Sequence, residues 1–123
     1  MGQRHAEAYK KIKNVEVIGF SDSITKNANR LAKKFKIKTL TLDEILSDDC
    51  IDAVNICTPN ADHAKISIKM LNGGKHVLVE KPMAIKIKDC DKMIDTAKKN
   101  NLNLMVGQTY RFYPSSILAK KII

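Results

Sequence analysis

Short apolar runs alternate with helical stripes of apolar residues along the 123-residue chain. The runs are of strand length and several are rich in β-branched residues, which predicts strands at residues 15–20, 51–57, 76–80 and 102–106. Apolar residues spaced three and four apart predict amphipathic helices between these strands. Because strands and helices alternate, we expect an α/β fold with a doubly wound, mostly parallel sheet and helices on both faces.

Capping residues and apolar stripes locate four of these helices. Thr41 followed by Glu44 forms a capping box, which predicts a short helix directly after it. Asn60 is placed to cap a longer helix that ends at Gly73 and Gly74. The stripes that we expect to face the core are Ala28, Leu31, Ala32 and Phe35, then Ala61, Ala64, Ile68 and Leu71, and last Ile87, Cys90, Ile94 and Ala97.

The composition is typical of a globular protein, with 44% hydrophobic and 28% charged residues. The net charge of +9 invites a nucleic-acid interpretation, but 19 of the 22 basic residues are lysines that recur on every predicted helix. Nucleic-acid readout favours arginine, and only Arg4, Arg30 and Arg111 are present. We therefore interpret the charge as solvated helix faces and expect no nucleic-acid partner. An anionic small molecule would suit the same excess.

Neither membrane nor secretory features are visible in the sequence. No apolar run approaches ~18 residues and no signal-peptide pattern opens the chain, so we expect no membrane association. Cys50, Cys57 and Cys90 are odd in number and widely spaced, with no zinc-finger register. They are expected to be reduced, mostly buried thiols of a cytoplasmic protein, with no metal site.

The predicted strand at residues 76–80 delivers Glu80, Lys81 and Pro82 at its carboxyl end. Pro82 cannot extend a sheet ladder, so the strand stops there. Ligands of open α/β sheets bind beyond the carboxyl ends of strands, which makes an acid and a base at this place a candidate reaction site. The alternative is a surface salt bridge between Glu80 and Lys81.

The chain opens on what reads as the first turn of a helix, with no strand before it. If Gly2 is the last glycine of a G-x-G-x-x-G turn, its partner glycines would lie upstream of the given sequence. That fingerprint expects an acidic residue about 20 positions later, and Asp22 lies at that spacing, after the strand predicted from residue 15. The alternative is that Asp22 is an ordinary turn residue or helix cap.

Taken in order, these stretches resemble the Gfo/Idh/MocA oxidoreductases, a family named for glucose–fructose oxidoreductase and inositol dehydrogenase. The matching positions are Met1 to His5, Asp22, residues 52–54, Thr58, Pro59, Asn60 and His63, residues 74–77, Glu80, Lys81 and Pro82, and Gly107, Arg111, Phe112 and Pro114. The resemblance covers nearly the whole chain. It implies a Rossmann domain that binds NAD, or NADP, in an enzyme that oxidises or reduces a carbinol of a sugar, inositol or nucleotide sugar.

The resemblance also implies roles for individual residues. Gly2 and Gln3 would hold the pyrophosphate at a helix N-terminus, and Asp22 would bind the adenosine ribose. Glu80 would contact the nicotinamide half, and Lys81 would be catalytic, next to the reacting carbinol. The remaining implied positions are Thr58, Pro59, Asn60 and His63 in the cofactor cleft, and Gln108 and Arg111 on the substrate side.

Several of these residues have simpler interpretations. His63 could be a surface histidine, and Arg111 a hinge residue in a salt bridge. His5 and His76 are treated as structural. Cys57 is expected to pack and not to act as a nucleophile, because no base is near it in sequence.

Compared with the family pattern, the sequence lacks the opening strand and two glycines, and it ends where a second, α+β domain would start. We therefore expect a fragment: residues 1–113 as an incomplete dinucleotide-binding domain and residues 114–123 as the start of a substrate domain that carries the proton-carrying residue. The parent enzyme is expected to be a homo-oligomer, and the fragment alone to be inactive. The competing interpretation is a non-catalytic nucleotide-binding or structural module.

Overall fold

The computed structural model describes all residues, 1–123, as six α-helices and five short strands. In chain order these are α1 (Gly2–Tyr9), β1 (Gly19–Phe20), α2 (Thr25–Phe35), β2 (Lys38–Thr39), α3 (Leu42–Ser47), β3 (Ala53–Ile56), α4 (His63–Asn72), β4 (His76–Val79), α5 (Ile87–Lys99), β5 (Leu104–Val106) and α6 (Pro114–Ile122). Two 3-10 turns lie at Asn60–Asp62 and Thr109–Phe112. None of the helices is long and apolar enough to cross a membrane.

The strands form two parallel ladders. In the larger ladder β4 lies between β3 and β5, with Asn55 opposite Leu78 and Leu78 opposite Met105. In the smaller ladder β1 pairs with β2. No ladder joins β1 to β3. The expected α/β, parallel architecture is confirmed.

Helices cover both faces of the larger ladder. Val77 and Val79 of β4 lie in the core with Met70 of α4 and Met93 of α5. Because successive strand residues point to opposite faces, Asn55 of β3 faces away from the core that contains its neighbour Ile56. Asn55 contacts α1, which therefore lies on the other face. The full set of buried core residues is Ile45, Ile51, Ile56, Met70, Leu71, Val77, Val79, Met93 and Ala97.

The predicted capping box and the predicted glycine end of a helix are both confirmed. The Thr41 hydroxyl accepts from the Glu44 N–H, and the Glu44 carboxylate accepts from the Thr41 N–H at 2.7 Å, so the capping box opens α3. Gly73 is the C-cap of α4, and Gly74 has φ +80°, a conformation that glycine adopts at little cost.

All four predicted strands are longer than the observed ones, and the largest differences are at the strand from residue 15 and at Asn60. The strand predicted at residues 15–20 is reduced to Gly19–Phe20, because β2 pairs with those two residues alone. The prediction that Asn60 caps a helix is wrong. Asn60 begins a 3-10 turn in which the Asp62 N–H donates to the Pro59 carbonyl, and α4 starts at His63 with no side-chain cap.

The buried face of α5 is also different from the predicted stripe. Ile87 is 82% exposed, whereas Met93, which the stripe omitted, is 0% exposed. Ala97 is buried as expected. Since the contact with α4 and the sheet sets the rotation of the helix, the true core side of α5 carries Met93 and Ala97.

This correction gives a matched pair of variants on one helix. Met93→Ala should lower the free energy of unfolding by about 2–5 kcal/mol, because it opens a cavity in the core. Ile87→Ala should change it by less than ~0.5 kcal/mol, because its side chain is already in water. Equilibrium urea denaturation measures both. Equal losses for the two variants would contradict this packing of α5.

Candidate functional site

The carboxyl ends of β3, β4 and β5 meet the N-terminus of α1 at one edge of the larger ladder. A Cβ atom at Gly2 would lie 3.7 Å from the Cβ of Cys57, so α1 starts directly against the end of β3. The Gly107 N–H donates to the Val79 carbonyl, and a Cβ atom at Gly107 would lie 3.7 Å from the Glu80 carboxyl carbon. One edge of the sheet is therefore lined by residues that are far apart in sequence: Gly2, Cys57, Glu80 and Gly107.

Glu80 is buried at this edge, with 6% of its surface exposed. His5 Nε2 lies 2.9 Å from Glu80 Oε1, and the Lys81 N–H donates to Glu80 Oε2 at 3.1 Å. Both carboxylate oxygens are therefore paired within the chain. The interpretation of Glu80 and Lys81 as a surface salt bridge is wrong: Glu80 pairs with His5, and the exposed Lys81 makes no salt bridge.

The contact between His5 and Glu80 was not anticipated from the sequence. The two residues are 75 positions apart, and the sequence pattern alone assigns His5 only a structural role. One signal was available: His5 lies three residues after Gly2, which places it on the same side of α1.

Asn55 extends this contact into a partly buried network. Its amide Nδ2 lies 2.8 Å from His5 Nδ1 and donates to the Tyr9 hydroxyl at 2.9 Å. The Cys57 thiol donates to Asn55 Oδ1 at 3.5 Å. Cys57 and Cys90 are only half-buried and Cys50 is exposed, so the expectation of mostly buried thiols is wrong. Burial raises the pKa of the Tyr9 phenol. Burial, followed by the negative charge of Glu80, raises the pKa of the Cys57 thiol, which supports a packing role for Cys57.

His63 is 1% exposed, so it is not a surface histidine. Its Nδ1 lies 2.7 Å from the Pro82 carbonyl oxygen and its Nε2 lies 3.0 Å from the Thr58 carbonyl oxygen. The ring therefore holds the loop after β3 against the turn after β4. A neutral imidazole has one N–H, so it donates to one of these two carbonyls at a time.

The same edge offers unfilled hydrogen-bonding groups that suit a dinucleotide. The first N–H groups of α1, those of Gly2 and Gln3, have no partner inside the helix, and the first turn has neither a side-chain cap nor an acidic residue. The Thr58 hydroxyl is buried without a hydrogen-bond partner. Free amides at a helix N-terminus are typical of sites for phosphate groups, so these residues fit a pyrophosphate and its neighbouring groups.

Asp22 and Gln3 have partners within the chain. Asp22 Oδ1 accepts from the Ile24 N–H at 2.8 Å, as in the turn that was the alternative interpretation, and Oδ2 has no protein partner. Gln3 Oε1 lies 3.5 Å from Arg30 of α2, and Gln3 Nε2 donates to Glu7 at 3.0 Å. Asp22 is thus exposed at the end of β1 with one oxygen free.

Gln108 and Arg111 make no side-chain hydrogen bond to this network and line an open groove of about 950 Å³ between β5 and α6. Met83, Phe112 and Ile117 supply much of its apolar wall. Arg111 is exposed and makes no salt bridge within this chain. Whether these two residues contact a substrate stays a prediction.

Comparison with known proteins identifies the class to which this fold and edge belong. Residues 1–108 match the oxidoreductase family described as having an NAD-binding Rossmann fold, which is the Gfo/Idh/MocA family. The chain belongs to this family, and the resemblance drawn from its motifs is confirmed.

Individual relatives agree with this assignment. The chain is 36% identical over 116 residues to 4-carboxy-2-hydroxymuconate-6-semialdehyde dehydrogenase of Sphingobium sp. (strain NBRC 103272 / SYK-6), covering 93% of this chain and 37% of that one. It is 42% identical over 80 residues to scyllo-inositol 2-dehydrogenase (NADP(+)) of Bacillus subtilis, covering 65% and 24%. It superposes on GenD2 from gentamicin A biosynthesis, solved in complex with NAD, with a TM-score of 0.93 and 29% identity, covering 99% and 35%. The chain thus spans little more than a third of these proteins, or less.

Proposed function

We propose that this chain is the cofactor-binding part of an NAD(P)-dependent oxidoreductase. The enzyme transfers a hydride between nicotinamide and the carbinol or carbonyl carbon of a sugar, inositol or nucleotide-sugar-like substrate. The observation that carries the proposal is the meeting of the uncapped α1 N-terminus with the buried Glu80 and the free Lys81 at one sheet edge. The family match and the dehydrogenase names of the relatives support it.

The first turn of α1 binds the diphosphate of the cofactor. The free N–H groups of Gly2 and Gln3 donate to phosphate oxygens, and the positive end of the helix dipole adds to the attraction. The absence of a Cβ at Gly2 keeps the space beside Cys57 open. At the far end of the cofactor, the free Oδ2 of Asp22 accepts from the adenosine ribose.

The nicotinamide half lies along the loops that follow β3 and β4. The Thr58 hydroxyl, which has no protein partner, is available to the cofactor, and Pro59 and Asn60 continue the same wall. His63 holds this loop against the turn at Pro82 through its two carbonyl contacts. Glu80 supplies the buried carboxylate of this half of the site.

Lys81 is the catalytic residue in this proposal. Its ammonium is exposed and makes no salt bridge, so its charge is available to a substrate. When bound, the nicotinamide supplies the hydride acceptor. A cation next to the substrate hydroxyl would lower the pKa of that hydroxyl and stabilise the alkoxide formed as its proton passes to the proton-carrying residue expected in the substrate domain. Loss of the hydride from the carbon would then convert the alkoxide to the carbonyl.

The same proposal assigns residues 1–113 to the cofactor domain and residues 114–123 to the start of a substrate domain. Helix α6 has no buried residue, and its Leu118 and Ile122 are exposed, which is consistent with a surface that further chain covers. Gln108 and Arg111, on the groove beside α6, are then placed to contact the substrate. We further propose a cytoplasmic homo-oligomer acting on small molecules.

Coenzyme preference follows from Asp22. A carboxylate beside the adenosine ribose repels a 2′-phosphate, so the full-length protein should bind NAD at least about tenfold more tightly than NADP, a difference of ~1.4 kcal/mol. Asp22→Asn removes the charge and should narrow this ratio. Isothermal titration calorimetry with both coenzymes measures it. Equal or tighter binding of NADP to the unmodified protein would contradict the role given to Asp22.

Lys81 provides the test of the chemistry. Lys81→Ala in the full-length protein should lower the turnover number roughly 10²-fold or more, because the group acts at the transition state. The melting temperature should stay nearly unchanged, because the ammonium makes no salt bridge within the chain. Lys86→Ala, at another exposed lysine beyond the same turn, is the control and should affect neither quantity. A Lys81→Ala enzyme with near-normal turnover would overturn the assignment.

A further inference from the structure

The partly buried network of Tyr9, Asn55, His5 and Glu80 is held together by hydrogen bonds between side chains. Its members come from three separate elements: α1, β3 and the end of β4. His5 is the central member, because one ring nitrogen faces Asn55 and the other faces Glu80. The side chains of His5 and Glu80 are only 15% and 8% exposed, so water does not readily replace either contact.

The surroundings of Asn55 decide which nitrogen of His5 carries the proton. The Cys57 thiol donates to Asn55 Oδ1, which fixes the orientation of the amide. The amide nitrogen then has two hydrogens, one for the Tyr9 hydroxyl and one for His5 Nδ1. With this amide orientation Nδ1 accepts from Asn55, and Nε2 carries the hydrogen that is donated to Glu80.

We propose that His5, held in this Nε2–H form by Asn55, is a positioning residue for the Glu80–Lys81 turn. Its ring lies one helical turn from Gly2, and the carboxylate that it binds also accepts from the Lys81 N–H. The hydrogen bond between His5 and Glu80 thus joins the first turns of α1 to the turn at Lys81. In functional terms, which rest on the proposed function above, His5 sets the distance between the pyrophosphate position and the reacting carbon.

Two variants at position 5 separate this role from simple packing. Gln and Asn carry the same amide, but only the longer Gln places its N–H near the position of His5 Nε2. In the full-length protein, His5→Asn should weaken NAD binding and slow hydride transfer, each by about tenfold or more, as expected for a lost hydrogen bond to a charged group. His5→Gln should stay within about threefold of the unmodified protein in both.

His76→Gln is the matched control. The His76 ring also makes one 2.9 Å hydrogen bond, accepting from the Asn103 N–H, but it lies at the opposite end of β4 from Glu80. This variant should leave NAD affinity and hydride transfer unchanged. If His5→Asn and His5→Gln cause equal losses, or if His76→Gln causes the same loss, the positioning role is refuted.

The position of the ring hydrogen of His5 gives a readout that does not depend on activity. Nitrogen-15 NMR of the histidine rings should show the hydrogen of His5 on Nε2 and none on Nδ1. Asn55→Asp replaces the donating amide with a carboxylate, which offers Nδ1 no amide hydrogen, so the nitrogen-15 resonance of His5 Nδ1 should shift. A hydrogen on Nδ1 in the unmodified protein, or an unchanged His5 spectrum in Asn55→Asp, would overturn the inference.

The two readouts also separate this inference from the proposed function. If the unmodified full-length protein fails to bind NAD, the proposed function fails, and the tautomer measurement still decides how His5 is held. If NAD binds and only His5→Asn weakens binding and hydride transfer, both the proposed function and the positioning role are supported. If NAD binds but the two variants behave alike, only the positioning role is refuted.

Discussion

The burial of the Glu80 carboxylate is the constraint on which the arrangement of this edge depends. A buried charge is costly unless each of its oxygens is hydrogen-bonded. The Lys81 N–H satisfies one oxygen from the adjacent peptide, but the other needs a donor from elsewhere, and His5 of α1 provides it. Because the carboxylate requires this donor, α1 is held at the carboxyl end of β4.

His63 acts in a similar way on the other side of the site. Its ring lies between the carbonyls of Thr58 and Pro82, which belong to the loops after β3 and β4. Loops at the end of a parallel sheet have few partners of their own, and here a buried imidazole joins them. Two histidines therefore connect α1, the loop after β3 and the turn after β4 into one rigid edge.

Features encoded by neighbouring residues could be predicted from the sequence. The capping box at Thr41, the glycine end of α4 and the alternation of strands and helices all depend on contacts within a few positions. Strand β2 was missed, because Lys38 and Thr39 are exposed and lack an apolar pattern. The choice of Met93 over Ile87 depends on how α5 packs against α4 and the sheet, which a stripe on one helix does not determine.

The candidate site shows the same limit. Its residues were located by motif and by position at strand ends, which are properties that the sequence displays. The contact between His5 and Glu80 joins residues 75 positions apart, so it becomes visible only when the fold brings them together.

A crystal structure of the full-length protein with NAD would test the central claim most directly. We predict phosphate oxygens at the Gly2 and Gln3 amides and the nicotinamide beside Glu80 and Lys81, whereas a dinucleotide in the groove between β5 and α6 would contradict this account.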